Sequence, residues 1–211
     1  MALTEAKFSQ GMTTQQYIER IKVNKQPFVD IYNSVQVPAD TLAFFNGLAE
    51  PLRLAVFTSD WCGDALSTTP TILRLADSTD RLQLQVFSRD DELELTNSFL
   101  PEHRAGTVPV FVTLDASMGQ VSRFVETARS LVPQIDAMDE DIAREVAAAG
   151  TGEDQVRTAV RGKRTAFRVA HARAWGEVIL REFQQVVAQG LALSPDQRPS
   201  EGGTQWPPPQ S

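Results

Sequence analysis

Between residues 52 and 149, short apolar runs alternate with stretches whose apolar residues recur at three- and four-residue steps. That alternation constrains the fold more than any other feature, because the two spacings belong to strands and helices respectively. Leu52, Leu54, Ala55, Val56 and Phe57 form a compact run suited to a buried central strand. Residues 67–77 read as helix, with Ile72, Leu73 and Leu75 inward and a kink predicted at Pro70. Leu82, Leu84, Val86 and Phe87 form a second strand, broken by Arg89-Asp90-Asp91-Glu92. Leu93 to Phe99 is a helix closed by Pro101. Val108 to Leu114 is a strand that returns through the turn at 116–119 as Gln120 to Val125. Residues 130–149 read as helix, with Leu131, Ile135, Met138, Ile142 and Val146 on one face and Gly150 and Gly152 at its end.

The flanks differ from this middle. Residues 1–50 predict three helices. One runs from Thr13 to Val23, capped by Thr13 or Thr14; one starts at Pro27; one is announced by Pro38-Ala39-Asp40. After residue 150, Asp154 caps a single long helix reaching about Gln189, with Val156, Val160, Phe167, Ala174, Val178 and Phe183 along it. Residues 193–211 are rich in Pro, Ser, Gly and Gln and read as a disordered tail. The expected divisions are therefore 1–50, 51–150, 151–192 and 193–211.

Composition narrows the function classes. The net charge is −7, yet residues 153–211 carry 8 Lys/Arg against 6 Asp/Glu, and Arg157, Arg161, Lys163, Arg164, Arg168 and Arg173 crowd onto one segment. In an acidic chain without a recognition motif, that run reads as a basic face against solvent or an acidic body; nucleic acid is not expected as a partner. No apolar run reaches the length of about 18 residues that a membrane span needs, and the N-terminus lacks a signal-peptide core. One cysteine cannot make an internal disulfide, which points to a reducing, cytoplasmic setting. Two histidines and one cysteine match no metal pattern, and nothing calls for a cofactor.

That cysteine carries the chemistry. Cys62 stands in Asp60-Trp61-Cys62-Gly63-Asp64-Ala65, directly after the first strand and before a helix. Unpaired N–H groups at a helix N-terminus favour an anion, so Cys62 is expected to ionise below the ordinary value of about 8.5. Asp60 and Asp64, on either side, offset part of that effect. Gly63 is read as letting a partner chain approach closely, and Trp61 as a flat apolar surface beside the sulfur.

The order of elements together with the Trp-Cys-Gly motif resembles the thioredoxin family over about residues 50–149. It looks closest to bacterial thioredoxin-like proteins whose active site reads Trp-Cys-Gly-Asp-Cys. The resemblance implies an α/β, thioredoxin-like fold with a central mixed sheet, here with an N-terminal helical extension and long C-terminal helices. Thr107-Val108-Pro109 resembles the segment whose proline is cis and faces the active cysteine, which leaves the backbone of Val108 to pair with a partner peptide or a small thiol. This chain departs from the family in two places. Ala65 stands where the second cysteine belongs, and Val56 where a buried acid assists that cysteine. Arg123-Phe124-Val125-Glu126-Thr127 also lacks the Gly-Gly and Asp that glutaredoxins use for glutathione.

The resemblance therefore implies a monothiol enzyme. Cys62 attacks a disulfide, Trp61, Gly63, Val108 and Pro109 hold the partner, and an external thiol completes release. The partner class is a protein disulfide or a low-molecular-weight thiol, with a second copy of the chain as a further candidate through the outer helices. The rival expectation is a binding module that keeps the groove without the reaction.

Overall fold

A computed structural model describes residues 3–148 and 153–204; Gly150 and Gly152 fall outside the described residues. Four helices precede the sheet: α1 (Glu5–Phe8), α2 (Thr14–Arg20), α3 (Lys25–Ser34) and α4 (Ala39–Asn46). A capping box between Thr13 and Gln16 starts α2, so Thr13, not Thr14, is the cap. Strand β1 (Leu52–Thr58) leads into α5 (Gly63–Ala76), which continues through Pro70. Then come β2 (Leu82–Ser88), α6 (Leu93–Asn97), β3 (Val110–Leu114) and β4 (Gln120–Val125). Helices α7 (Val132–Ala148), α8 (Glu153–Ala170) and α9 (Ala172–Ala192) follow, and β5 (Ser200–Gly203) closes the described chain.

The five strands make one mixed sheet in the order β2-β1-β3-β4-β5. β1 lies parallel to β2 and antiparallel to β3; β3 and β4 form the hairpin; β5 runs parallel to β4. The strand period of two divides the side chains between the faces. Leu52, Leu54 and Val56 enter the larger apolar cluster, whereas Ala55 and Phe57 enter the smaller one with Phe87 and Phe99. The segments before residue 51 and after residue 152 share the larger cluster with the sheet through Tyr17, Phe28, Ile31, Phe45, Trp175 and Phe183. Among the described residues, no helix is long and apolar enough to cross a membrane.

Three expectations need correction. The long helix is broken at His171, whose backbone (φ −98°, ψ 5°) leaves the helical region, whereas Gly162 and Gly176 both lie within helices. His171 stacks on Phe167 with ring centroids 3.9 Å apart, so the break is held by packing. Helix α5 begins at Gly63, four residues before the predicted start, with Cys62 as its N-cap. The disordered tail is the third. Residues 193–204 are ordered, with a short 3-10 turn at Pro195–Gln197 and then β5. Ser200 donates to the carbonyl of Val186 at 2.6 Å, and Arg198 donates to the carbonyl of Gly190 at 2.9 Å. Gly190 lets α9 press against β4, since a Cβ there would stand 2.1 Å from the carbonyl oxygen of Val121. Residues 205–211, including Trp206-Pro207-Pro208-Pro209, lie outside the described residues.

Candidate functional site

The site forms where β1 ends and α5 begins. Cys62 has extended backbone (φ −81°, ψ 133°), and its carbonyl accepts the first helical bond, from the N–H of Leu66 at 3.1 Å. The half-buried thiol faces Val108, with Sγ 3.4 Å from the Val108 carbonyl oxygen. The Val108–Pro109 bond is cis, in keeping with the resemblance at Thr107-Val108-Pro109. Among the described residues, neither the N–H nor the C=O of Val108 pairs with another main-chain group.

The electrostatics differ from expectation. Burial pushes the Cys62 thiol up from its ordinary value, and the carboxylates of Asp64 and Glu126 push it further. The backbone N–H groups of Ala65 and Asp64 oppose this, but desolvation of the thiolate is the larger effect. The expected low thiol pKa is therefore not realised. Asp60 is engaged by the N-terminal segment. Its Oδ2 accepts from the N–H groups of Lys22 and Val23 at 2.8 and 3.0 Å, which ties the N-terminal helices to the site.

Each neighbour of Cys62 has a distinct environment. Trp61 is 48% exposed, donates through Nε1 to Asp90 at 3.0 Å, and lies under the Arg89 guanidinium at 5.7 Å. Gly63 is not an open approach for a partner. A Cβ there would meet the guanidinium of Arg168 at 3.2 Å, so the missing side chain makes room for an arginine. Arg168 reaches from α8, is 6% exposed, and contacts Asp64 at 3.4 Å. The basic run meets the acidic body, as expected: Lys163, Arg164 and Arg168 pair with Glu145, Asp139 and Asp64, and Arg168 is buried in doing so. Ala65 is also buried, at 2% exposure.

Glu126 was read only for what it lacks. Its N–H donates to the carbonyl of Pro109 at 2.7 Å, and its backbone is left-handed (φ 63°). Arg104 and Thr204 hold its carboxylate, and burial pushes its pKa up. The hairpin register places it beside the proline: Val110 faces Val125, so 109 faces 126. Counting back from the predicted turn would have found it. Arg89 and Arg104 are engaged within the fold, by Gly106 and Asp90 and by Glu126 and Thr204. His171 packs between Phe167 and Trp175, and His103 is exposed in a 3-10 turn. Among the described residues, no group of His, Cys, Asp and Glu is arranged to hold a metal.

A cleft of about 460 Å³ opens between the start of α5 and the face of α8, lined by both chain neighbours of Cys62 but not by Cys62 itself. Trp61 and Gly63 line it on one side, and Arg157, Arg161, Arg164 and Arg168 on the other.

The sequence matches the family model described as Thioredoxin over residues 11–139. That stretch includes α2 to α4, which the sequence reading had placed ahead of the core. No curated protein matches the sequence. The fold is similar to the crystal structure of a protein of unknown function from Pseudomonas aeruginosa, with TM-score 0.55 and 16% identity over 81% of this chain and 99% of that one. It is also similar to an HIV epitope scaffold, with TM-score 0.51 and 16% identity over 80% of this chain and 94% of that one. At such identity the likeness concerns the fold alone.

Proposed function

The chain belongs to the thioredoxin family, and from that premise we propose that it exchanges thiols and disulfides through Cys62 by a monothiol route. Cys62 loses its proton to solvent, and the thiolate attacks one sulfur of a disulfide. The disulfide bond breaks, the departing thiolate takes a proton from water, and Cys62 is left in a mixed disulfide. An external thiolate then attacks that bond, carries away the bound half as a new disulfide, and restores Cys62. A second external thiolate that attacks the released mixed disulfide frees the other half as a thiol, so two external thiols end as one disulfide and two electrons pass to the substrate. Ala65 cannot supply the second attack, so release depends on that external thiol.

The observation that carries this reading is the placement of the Cys62 sulfur, at the N-cap of α5 and 3.4 Å from the carbonyl of the residue before a cis proline. An extended partner laid against Val108 would pair with its free main-chain groups, with Pro109 shaping the groove and Trp61 supplying an apolar wall. Gly63 serves by admitting Arg168 beside the reacting residue.

One observation favours a second reading, a binding module without turnover. Burial and Asp64 hold the thiol protonated, which lowers the fraction of attacking thiolate. Intact-mass measurement separates the two. The protein is incubated with a small disulfide, the adduct at Cys62 is weighed, and a reduced thiol is added. Formation and complete release of the adduct, both absent in Cys62→Ser, support exchange. An adduct that never forms at pH values above the thiol's ordinary range favours the binding module.

A further inference from the structure

The four arginines that line the cleft stand at 157, 161, 164 and 168, the i, i+4, i+7 and i+11 positions of one face of α8. No carboxylate lines the cleft among the described residues. Arg157 and Arg164 each contact one acid, Asp154 and Asp139, in exposed pairs of little strength. Arg161 is exposed and pairs with no acid among the described residues. Arg168 is buried and contacts Asp64 through one Nη at 3.4 Å, while its Nε has no hydrogen-bond partner. Four guanidinium groups thus converge on a concave space without acids in its wall.

We propose that this cleft holds the anionic part of a small disulfide that Cys62 attacks, a molecule bearing carboxylate, sulfonate or phosphate groups. Arginine is suited to such groups because its planar fork meets two oxygens at once. The volume of the cleft falls in the range of small-molecule sites, roughly 300–1,000 Å³, and well short of a protein interface. Trp61 and Gly63, the two residues flanking Cys62, both belong to its wall, so the disulfide would have to reach from the cleft past one of them to the thiol. Trp61, half exposed and part of the cleft wall, offers apolar surface for another portion of the same molecule. α8 begins at Glu153, so the arginine wall lies outside the family match at residues 11–139.

The inference rests on the thiol-exchange reading, and its test separates the two. The rate of mixed-disulfide formation at Cys62 is measured with dithiobis-nitrobenzoate, a dianion, and with dithiodipyridine, which is uncharged; a free cysteine derivative gives the reference ratio. The ratio of anionic to neutral rate in the protein is expected to exceed the reference and to fall as salt rises. Arg161→Gln combined with Arg164→Gln should lower that ratio at least about tenfold, the effect of losing one of the two charge-assisted contacts. An unchanged ratio in this double variant would overturn the inference while leaving exchange intact.

Failure of the neutral reagent in the wild type would overturn exchange instead. Calorimetry then decides the cleft, with Cys62→Ser titrated by the dianion in the presence and absence of the two arginine substitutions. Saturable binding that disappears with the arginines upholds the anion site, and no binding to Cys62→Ser overturns it. Thermal midpoints of the variants within those of the wild type show that the fold is retained.

Discussion

Helices α8 and α9 follow one another in the chain, and both carry apolar residues at helical steps, yet they do different work. α9 buries Trp175, Ile179, Leu180, Phe183 and Val187 against the sheet and against Phe45. α8 buries little beyond Arg168 and lays an arginine face along the start of α5. The break at His171 allows this difference, because a continuous helix would commit both halves to one direction. Apolar recurrence alone does not distinguish a core helix from one that covers a site. The residues between the apolar positions do: α8 places arginines there, and α9 places a mixture that includes Gly176 and Gly190 where neighbours come close.

The contrast can be broken most directly in the core. Phe183→Ala removes a fully buried ring that meets Phe45, Phe111 and Phe124, and should cost about 3–5 kcal/mol in urea unfolding. A loss below 1 kcal/mol would mean that α9 is no more part of the core than α8. A chain ended at Ala192 loses β5 from the edge of β4 and the Thr204 carbonyl from Arg104. Its thermal midpoint should fall by about 5–10 °C, the equivalent of a few kcal/mol in a chain of this size. An unchanged midpoint would show that β5 contributes nothing to stability.

Variants at the α8 contact should cost less and act on the thiol. Asp64→Asn removes the carboxylate facing buried Arg168, and should destabilise by about 1–3 kcal/mol. It should also lower the Cys62 pKa, because a negative charge that raises it is gone. Iodoacetamide alkylation across pH reads this as a profile moved to lower pH than in the wild type. The wild-type profile itself should still climb above about 8.5, the reference for a free thiol.

Stability follows the same proton. Folded Cys62 holds it more tightly than unfolded Cys62, so its contribution is fully present below about 8.5 and is lost as pH rises through the raised folded value. Compared with Cys62→Ala, the wild type should therefore weaken on the alkaline side, and a widening advantage there would reverse the sign. Smallest of all, Arg161→Gln should change stability by no more than about 0.5 kcal/mol, as expected of an exposed residue. A larger loss would make α8 structural in the same sense as α9.

Much of the fold was legible in the residue pattern. The strands at 52–57, 82–87 and 120–125 and the helix after Cys62 follow from periods of two and near four, which require no knowledge of distant contacts. Ser200-Glu201-Gly202-Gly203 was not legible. It carries no apolar side chain to announce a strand, and it is held by main-chain pairing with Ser122 to Val125. The short α1 was missed for a similar reason, since one turn ending in Phe8 has too few residues to show a period. At the candidate site, the motif spacing anticipated that Cys62 would face Val108 and the cis Val108–Pro109 bond. It missed Arg168 and underread Glu126, because each gains its meaning from a partner far along the chain.

The sequence by itself determined the succession of strands and helices, the single thiol at the head of α5, and the absence of a second sulfur at Ala65. These are local matters of residue type and spacing. The tertiary structure alone decided that the thiol is buried enough to raise its pKa, that Asp60 caps the N-terminal segment, that Gly63 makes room for Arg168, and that the basic run walls a cleft. Each of these depends on desolvation or on charge across space, quantities that exist only once separate stretches of chain have been packed together.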